Sequence, residues 1–109
     1  MKISELAEKL ALTPLALPDP GREAEGFYAG DLLSWVMGRA NAGNVWITIM
    51  SNTNVLAVAS LVDLSAVVLA EGVTLSEKDT AAALEKGINV FTSEKSTYEL
   101  CREAGALSR

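Results

Sequence analysis

The amino-acid sequence predicts an α/β fold, a small layered sandwich built on a mostly parallel sheet of about four to five strands. Two observations carry this prediction. From Val45 onward, short β-prone segments alternate with segments whose apolar residues recur at helical spacing. Each short segment is apolar throughout, as expected for strands that helices cover on both faces. The 109 residues, half of them hydrophobic, match one domain with a single core over residues 1–109.

The first part of the chain predicts a helix and a short strand. Residues 3–10 repeat apolar side chains at helical spacing and carry Glu and Lys on the other side. Thr13-Pro14 should end this region, because the residue before a proline avoids the α conformation. We then expect a short strand at residues 15–17, stopped by the Pro-Asp-Pro-Gly turn at residues 18–21.

The next part predicts a turn, a short strand and a second helix. Residues 21–30 contain three glycines, with Phe27-Tyr28 between them as the strand. Asp31 is the candidate N-cap of the following helix, and Gly43 is the candidate stop.

Three strand–helix pairs are predicted after that point. The strands are expected at residues 45–50, 66–70 and 88–91, and the helices at residues 54–62, 77–86 and 95–104. Ser76 and Asp79 form a capping-box pattern before the second of these helices, and Gly87 is its predicted stop. Because successive strands joined by helices run parallel, the helices should lie on one or both faces of the sheet.

Composition argues against several classes of protein. The net charge is -5 and Lys and Arg are scattered singly, whereas a nucleic-acid-binding protein usually shows a basic patch. The longest nearly uncharged stretch, residues 40–62, is interrupted by Gly, Asn and Ser, so no membrane span is expected. No signal-peptide pattern opens the sequence, and Cys101 has no second cysteine with which to form a disulfide or a zinc site. We therefore expect a cytoplasmic protein.

The sequence also lacks the residues and motifs that are most common in active sites. It contains no histidine, the commonest general base and metal ligand. It has neither a GxxxxGK[ST] phosphate loop nor a GxGxxG dinucleotide motif. We predict that the chain is not an enzyme, that no residue is catalytic, and that it holds no metal or cofactor. An enzymatic alternative would need Glu71 as a base and Lys95 as a phosphate clamp.

A ligand site is predicted where the parallel strands end. Ligands of open parallel sheets bind outside the carboxyl ends of the strands, and backbone N–H groups at helix starts suit an anion. The candidate ligand-binding residues are Ser51, Asn52, Thr53, Asn54, Glu71, Gly72, Thr92, Ser93, Ser96 and Thr97. The alternative is that these small polar residues only cap helices; Thr53 is then the candidate cap, and Asn52, Thr53 and Asn54 should be exposed.

Aromatic and apolar residues outside the strands suggest an interface. Trp46 lies in a predicted strand and is expected in the core, whereas Trp35 falls off the main apolar stripe of its helix. The mean hydropathy of +0.25 is high for a domain of this size and favours self-association. We predict a homodimer, with Phe27, Tyr28, Trp35 and Met37 as interface candidates; the alternative is that the first helix covers these residues. Cys101 is expected to be a small buried apolar residue.

Several stretches resemble the DRTGG domain family. The segment at residues 21–34 looks like the signature region, in which the naming motif stands here as Gly-Arg-Glu-Ala-Glu-Gly at residues 21–26. Residues 43–48, the run at residues 54–71, and the strand at residues 88–91 with Thr92 and Ser96-Thr97 also fit. The similarity covers nearly the whole chain.

The resemblance implies a fold similar to the N-terminal domains of HPr kinase/phosphorylase and of Mur ligases. DRTGG domains stand alone or lie within some inorganic pyrophosphatases, beside CBS regions, and within phosphate acetyltransferases. They resemble regulatory or assembly elements that often self-associate and have no established catalytic activity. The resemblance thus implies a non-catalytic regulatory module that binds a small anionic ligand, such as an adenine nucleotide, and acts with a partner protein. The alternative is a protein–protein interaction or assembly module with no small-molecule ligand.

Overall fold

The structure is a computed structural model that describes residues 1–107. In chain order the elements are α1 (Ile3–Lys9), β1 (Thr13–Ala16), β2 (Phe27–Ala29), α2 (Leu33–Arg39), β3 (Val45–Thr48), α3 (Thr53–Val62), β4 (Ala66–Leu69), α4 (Glu77–Lys86), β5 (Val90–Thr92) and α5 (Thr97–Leu107). The predicted α/β class and the mostly parallel sheet are confirmed.

The sheet has five strands in the order β1-β5-β4-β3-β2. β2, β3, β4 and β5 run parallel, and β1 is antiparallel to β5 at one edge. The parallel strands are continuous in register: Val45 pairs with Ala66, and Val67 pairs with Val90. The carboxyl ends of the four parallel strands therefore meet at one edge of the sheet, which we call the carboxyl edge.

Helices cover both faces of the sheet and make three layers. On one face α2, α3 and α4 pack through Val36, Val55 and Ala83 against strand residues that include Trp46. On the other face α1 and α5 pack through residues such as Leu6 and Leu100. Successive residues of each central strand belong alternately to the two clusters, because side chains alternate across a strand. Both faces are buried, which explains why the strands are apolar throughout.

The first strand differs from its prediction. β1 spans Thr13–Ala16 and includes Pro14, whereas the sequence predicted residues 15–17. The helix before it already ends at Lys9, and Ala11 has a positive φ of 54°. A proline is tolerated because β1 lies at the edge of the sheet, where one side of the strand needs no ladder partner.

The predicted bounds of the second helix are also wrong. α2 starts at Leu33, its N-cap residue Leu32 makes no side-chain cap bond, and the helix ends at Arg39. Asp31 is not its cap, because its carboxylate is bound to β3 instead. Gly43 does not end the helix; it lies in the following turn, where its φ is 82° and its N–H donates to the Asp63 carbonyl.

The later elements agree better with the sequence. Ser76 accepts from the Asp79 N–H at the start of α4, and Gly87 ends that helix in the left-handed conformation, both as predicted. β3 ends at Thr48, two residues earlier than expected, because the Ile49 N–H donates to Asp31 rather than continuing the ladder. α5 begins at Thr97 rather than near Lys95.

Candidate functional site

The candidate ligand residues do gather at the carboxyl edge. β4 lies between β3 and β5, so the three turns that follow these strands are neighbours. Ser51–Asn54 follow β3, and Glu71 and Gly72 follow β4; Thr92 is the last residue of β5, and residues 93–97 follow it. Asn52, Thr53 and Asn54 are exposed, as predicted, and Ser51 is half-buried.

The turn between β3 and α3 leaves backbone donors free. Asn52 is the N-cap of α3: its Oδ1 accepts from the Asn54 N–H at 3.0 Å. The assignment of Thr53 as the cap is therefore wrong. Within residues 1–107 the N–H groups of Ser51, Asn52 and Thr53 have no hydrogen-bond partner. The first N–H groups of a helix have no partner inside the helix, so the free N–H groups around the start of α3 are available to an acceptor from outside the chain.

Thr53 serves a different contact. Its Oγ1 donates to Oδ1 of Asp79 at 2.9 Å, and Asp79 is 7% exposed. The Asp79 N–H in turn donates to Ser76 Oγ at 3.1 Å. This chain of bonds ties the start of α3 to the start of α4.

A second hydrogen-bond network lies at the same turn, and the sequence analysis did not predict it. Thr48 Oγ1 donates to Asp31 Oδ1 at 2.8 Å, and the Ile49 N–H donates to the same oxygen at 3.0 Å. The Met50 N–H donates to Thr48 Oγ1 at 3.2 Å. A buried threonine at the end of an apolar strand was the available signal, since a buried hydroxyl needs a partner.

The turn after β4 is fully occupied with internal bonds. Glu71 and Gly72 both have positive φ, 60° and 72°, and the Val73 N–H closes the turn on the Ala70 carbonyl. The N–H of Glu71 donates to the carbonyl of Lys95 at 2.9 Å, and that of Gly72 to the carbonyl of Ser93 at 2.8 Å. These N–H groups therefore hold the β5–α5 loop.

Residues at the end of β5 and just after it add further bonds between the same two loops. Thr92 Oγ1 donates to the Val73 carbonyl at 2.6 Å. Ser93, which is buried, donates its N–H to Leu69 and accepts from the Lys95 N–H through Oγ. The two loops thus form one clasp, which we define as residues 70–73 with residues 92–95.

The start of α5 is capped by its own side chains. Ser96 Oγ accepts from the Glu99 N–H at 3.1 Å and donates to the Glu99 carboxylate at 3.2 Å, while Thr97 is half-buried. Lys95 Nζ binds Glu103 at 2.7 Å and the Leu10 carbonyl at 3.2 Å. These bonds turn the ammonium toward α1 and α5, so the geometry gives no support to Lys95 as a phosphate clamp beside Glu71.

The charges near the carboxyl edge are mostly negative. Asp31 and Asp79 flank the β3–α3 turn through the bonds described above. Glu71 is exposed in the clasp, and the Glu94 carboxylate lies 2.7 Å from where a Cβ on Gly72 would stand. An anion at this edge would depend on backbone N–H groups, because the nearest lysine of the clasp is already paired.

The interface candidates fall in two places. Trp35 and Met37 are 52% and 48% exposed on α2, and the Arg39 guanidinium lies 3.7 Å from the centre of the Trp35 ring. Phe27 and Tyr28 are half-buried in the edge strand β2 and pack into the two core clusters. α1 packs on the opposite face from α2, so it does not cover Trp35 or Met37.

An apolar groove of about 280 Å³ runs between α2 and α3. It is lined by Leu33, Met37, Asn54, Ala57, Val58 and Leu61. Leu61 is 70% exposed, and Leu32, the N-cap residue of α2, is 58% exposed. We call the exposed surface of these two helices the α2–α3 face.

The remaining candidates behave as structural residues. Trp46 is fully buried, as predicted, and its Nε1 donates to the Gly30 carbonyl at 2.8 Å. Cys101 is half-buried, and desolvation raises the pKa of its thiol. Within residues 1–107 no group of three or more His, Cys, Asp or Glu side chains is placed to hold a metal ion. No helix among these residues is long and apolar enough to cross a membrane.

The fold defines a three-layer α/β domain with a free helix start at its carboxyl edge. No family model matches the sequence, and no curated protein matches it. Among solved structures it is similar to the CBS and DRTGG domains of the regulatory region of Clostridium perfringens pyrophosphatase, complexed with the activator diadenosine tetraphosphate. The TM-score is 0.71 at 14% identity, over 94% of this chain and 45% of that chain. The predicted resemblance to DRTGG domains is thus confirmed as a likeness of fold, and this chain spans less than half of the neighbour.

Proposed function

We propose that this chain is a non-catalytic, cytoplasmic regulatory module that binds a small anionic ligand, such as an adenine nucleotide, at the start of α3. The observation that carries the proposal is the set of three unpartnered N–H groups at Ser51, Asn52 and Thr53. They lie at the first residue of a ten-residue helix and at the two residues before it, where the helix dipole adds a partial positive charge. The structural neighbour was solved with diadenosine tetraphosphate, which is an anion of this class.

The other candidate residues have a supporting role in this proposal. The clasp places Glu71, Gly72, Thr92 and Ser93 beside the turn but uses their N–H groups and hydroxyls internally. Ser96 and Thr97 begin α5 next to it. The carboxylates of Asp31 and Asp79 repel an anion. We therefore expect weak binding of a free nucleotide and tighter binding of its magnesium complex.

Isothermal titration with diadenosine tetraphosphate and ADP, with and without magnesium, tests this proposal. Asn52→Asp keeps a side chain that caps the helix but adds a negative charge at the proposed site, so it should abolish binding without lowering stability. Asn41→Asp adds the same charge at an exposed residue before β3, at the opposite end of the sheet, and should leave binding unchanged. Absence of heat at millimolar nucleotide would refute the ligand site, and binding that survives Asn52→Asp would place it elsewhere.

The second candidate function is an assembly module, and the α2–α3 face favours it. Leu32, Trp35, Met37 and Leu61 are each about half exposed or more, and residues 40–62 carry no charge. A surface of this kind is typical of a protein–protein contact. We propose that it forms a homodimer, and that any partner protein with which the module acts binds elsewhere on the surface.

Sedimentation equilibrium at micromolar concentration tests the homodimer. The chain has a mass of 11.5 kDa, so the dimer should sediment at twice that mass. Trp35→Glu should give a folded monomer, because it places a charge in the proposed contact. Tyr98→Glu, at another exposed aromatic residue on α5, is the matched control and should remain dimeric. A monomer of the unmodified chain throughout this concentration range would refute the dimer.

A further inference from the structure

The two edges of the sheet differ in how they are protected from further pairing. The β1 edge carries Pro14, and its register with β5 shifts between Pro14 and Ala16. A proline and an irregular register both hinder the addition of another strand. The β2 edge, Phe27–Ala29, has neither a proline nor a charged side chain and pairs with β3 in continuous register. The β2 edge is therefore the one that can accept a further strand.

Two residues of β2 direct their backbone polar groups away from the sheet. At the ends of the strand the Gly26 carbonyl accepts from β3 at 2.9 Å, and the Gly30 N–H donates to β3 at 3.1 Å. Because alternate residues of a parallel strand bond to a given neighbour, Tyr28 bonds to β3, whereas the N–H and carbonyl groups of Phe27 and Ala29 point outward. Within residues 1–107 these outward groups have no hydrogen-bond partner. They stand at the spacing that a further strand would use.

A groove between β2 and α5 runs beside these outward groups. Its volume is about 340 Å³, and it is lined by Phe27, Ala29, Ile47, Cys101, Ala104 and Gly105. Small residues on both walls leave the space open, and Gly105 has no atom within 4 Å of the place that a Cβ would occupy. Side chains alternate across a strand, so every second side chain of an added strand would enter this groove.

Arg102 places an unpaired positive charge beside the groove. It is exposed on α5 and lines a hollow that shares two of its lining residues with the groove. Within residues 1–107 its guanidinium makes no ion pair. The acids Glu99 and Glu103 of the same helix are engaged, the first with the serine that caps α5 and the second with Lys95. Electrostatic complementarity therefore favours an acidic side chain from a partner at this position.

We propose that β2 binds an extended segment of a partner protein as a sixth strand, with apolar side chains in the groove and an acidic side chain on Arg102. The short β2 supplies few backbone bonds, so the groove and Arg102 add affinity and selectivity. A second copy of this chain suits the edge less well, because each copy carries a net charge of -5 and residues 26–30 bring no acid to Arg102. The groove lies on the opposite face of the sheet from α2 and α3, so it is tested independently of the proposed ligand site and homodimer.

Selection of random octapeptides displayed on phage, with the full chain as bait, tests the sixth strand. We expect peptides that carry an apolar residue at every second position and at least one Asp or Glu, with a Kd below about 100 μM. Ala29→Pro removes one outward N–H and leaves the bonds to β3 in place, as is tolerated in an edge strand. It should keep the fold and weaken the binding of a selected peptide by about tenfold or more.

Two matched pairs of variants locate the contact on the surface. Gly105→Leu should fill the groove and weaken peptide binding by about tenfold. Gly38→Leu, at a glycine of α2 that also has open space around it, should leave binding unchanged. Arg102→Glu should remove the preference for acidic peptides, whereas Arg39→Glu, on α2, makes the same change in charge and should keep it.

Thermal melts show which variants remain folded; if Ala29→Pro unfolds, the glycine and arginine pairs still decide the question. A selection that enriches no peptide over a control without bait overturns the sixth strand. So do selected peptides whose binding is the same in Ala29→Pro, Gly105→Leu and Arg102→Glu as in the unmodified chain. Either result leaves the nucleotide site and the homodimer standing. Loss of self-association in Ala29→Pro, measured by sedimentation without peptide, overturns the proposal in favour of a second copy as the occupant.

Discussion

Asn52 and Thr53 are adjacent at the start of α3, and their side chains serve different contacts. The amide oxygen of Asn52 accepts from the Asn54 N–H, whereas the hydroxyl of Thr53 reaches the buried carboxylate of Asp79. Both residue types are good caps, so the local sequence does not distinguish them. The position of α4 in the folded chain determines that Thr53, and not Asn52, bonds to Asp79.

We predict that Asn52→Ala lowers the free energy of unfolding by about 1 kcal/mol through loss of the cap. Asn52→Asp should keep that stability, since aspartate caps equally well and also interacts favourably with the helix dipole. Chemical denaturation of the three proteins measures the effect. An alanine variant as stable as the unmodified chain would remove the capping role from Asn52.

Thr53→Val should also cost stability, by about 1–3 kcal/mol, because it leaves the buried Asp79 carboxylate without its hydroxyl partner. Thr80→Val is a matched control on α4, where the hydroxyl bonds an exposed carbonyl of Ser76. Thermal melts of both variants provide the comparison. An equal loss of stability in the two variants would show that the bond to Asp79 contributes no more than the exposed bond of Thr80.

The raised pKa of the Cys101 thiol predicts how the stability of the fold changes with pH. Burial raises its pKa, so in the folded state less thiolate is present at a given pH than in the unfolded chain. Stability is therefore unaffected well below the ordinary thiol pKa and falls as the pH rises through the raised value, because the unfolded state loses its proton first. We expect slow alkylation at pH 8 in buffer and fast alkylation in denaturant; equal rates would contradict the burial.

At the scale of elements, the clasp between the β4 and β5 loops is the feature that orders the carboxyl edge. Its bonds join Glu71 to Lys95, Gly72 to Ser93 and Thr92 to Val73. Glycine is favoured at Gly72 because its φ is 72°, whereas the exposed Glu94 carboxylate, 2.7 Å from where a Cβ would stand, could move aside. The clasp fixes the loops that surround the proposed ligand site.

Gly72→Ala should therefore destabilise the clasp by about 1–2 kcal/mol through its left-handed backbone. Glu71→Gly should do the opposite and stabilise the chain slightly, since Glu71 also has a positive φ. Amide hydrogen exchange localises both effects to residues 70–73 and 92–95 if the clasp opens as a unit. Faster exchange spread evenly over the sheet would argue against an independent clasp.

At the scale of the whole molecule, one buried asparagine joins distant parts of the chain. Asn89 is 2% exposed, accepts from the Asp19 N–H, and donates to the carbonyls of Asp19 and Ser65. It holds the loop after β1 against the end of the sheet opposite the carboxyl edge, 70 residues away in sequence. Every buried side-chain nitrogen and oxygen within residues 1–107, those of Asn89 included, has a hydrogen-bond partner.

We predict that Asn89→Ala costs about 3 kcal/mol, because the Asp19 N–H and the Ser65 carbonyl lose their partner and the Asp19 carbonyl loses one of two bonds. Asn41→Ala, at an exposed asparagine, should change stability little. Urea denaturation of the two variants measures the difference. A small loss at Asn89 would mean that water replaces the side chain in those bonds.

The sequence by itself determined the α/β class, the parallel direction of β3, β4 and β5, the cap at Ser76 and the stop at Gly87. These features depend on local periodicity and on capping chemistry, which act over a few residues. It also located the turns at the carboxyl edge, since parallel strands joined by helices must end on one side.

Only the tertiary structure decided what the polar side chains in those turns do. The sequence predicts Asp31 as a helix cap, but its carboxylate binds Thr48 and Ile49 instead. The N–H groups of Glu71 and Gly72 hold the loop after β5 rather than remaining free. A cap and a cross-strand acceptor have the same local sequence signal, because both need only a short side chain with an oxygen. Which bond forms depends on the partner that the sheet brings within about 3 Å, and that partner is distant in the chain.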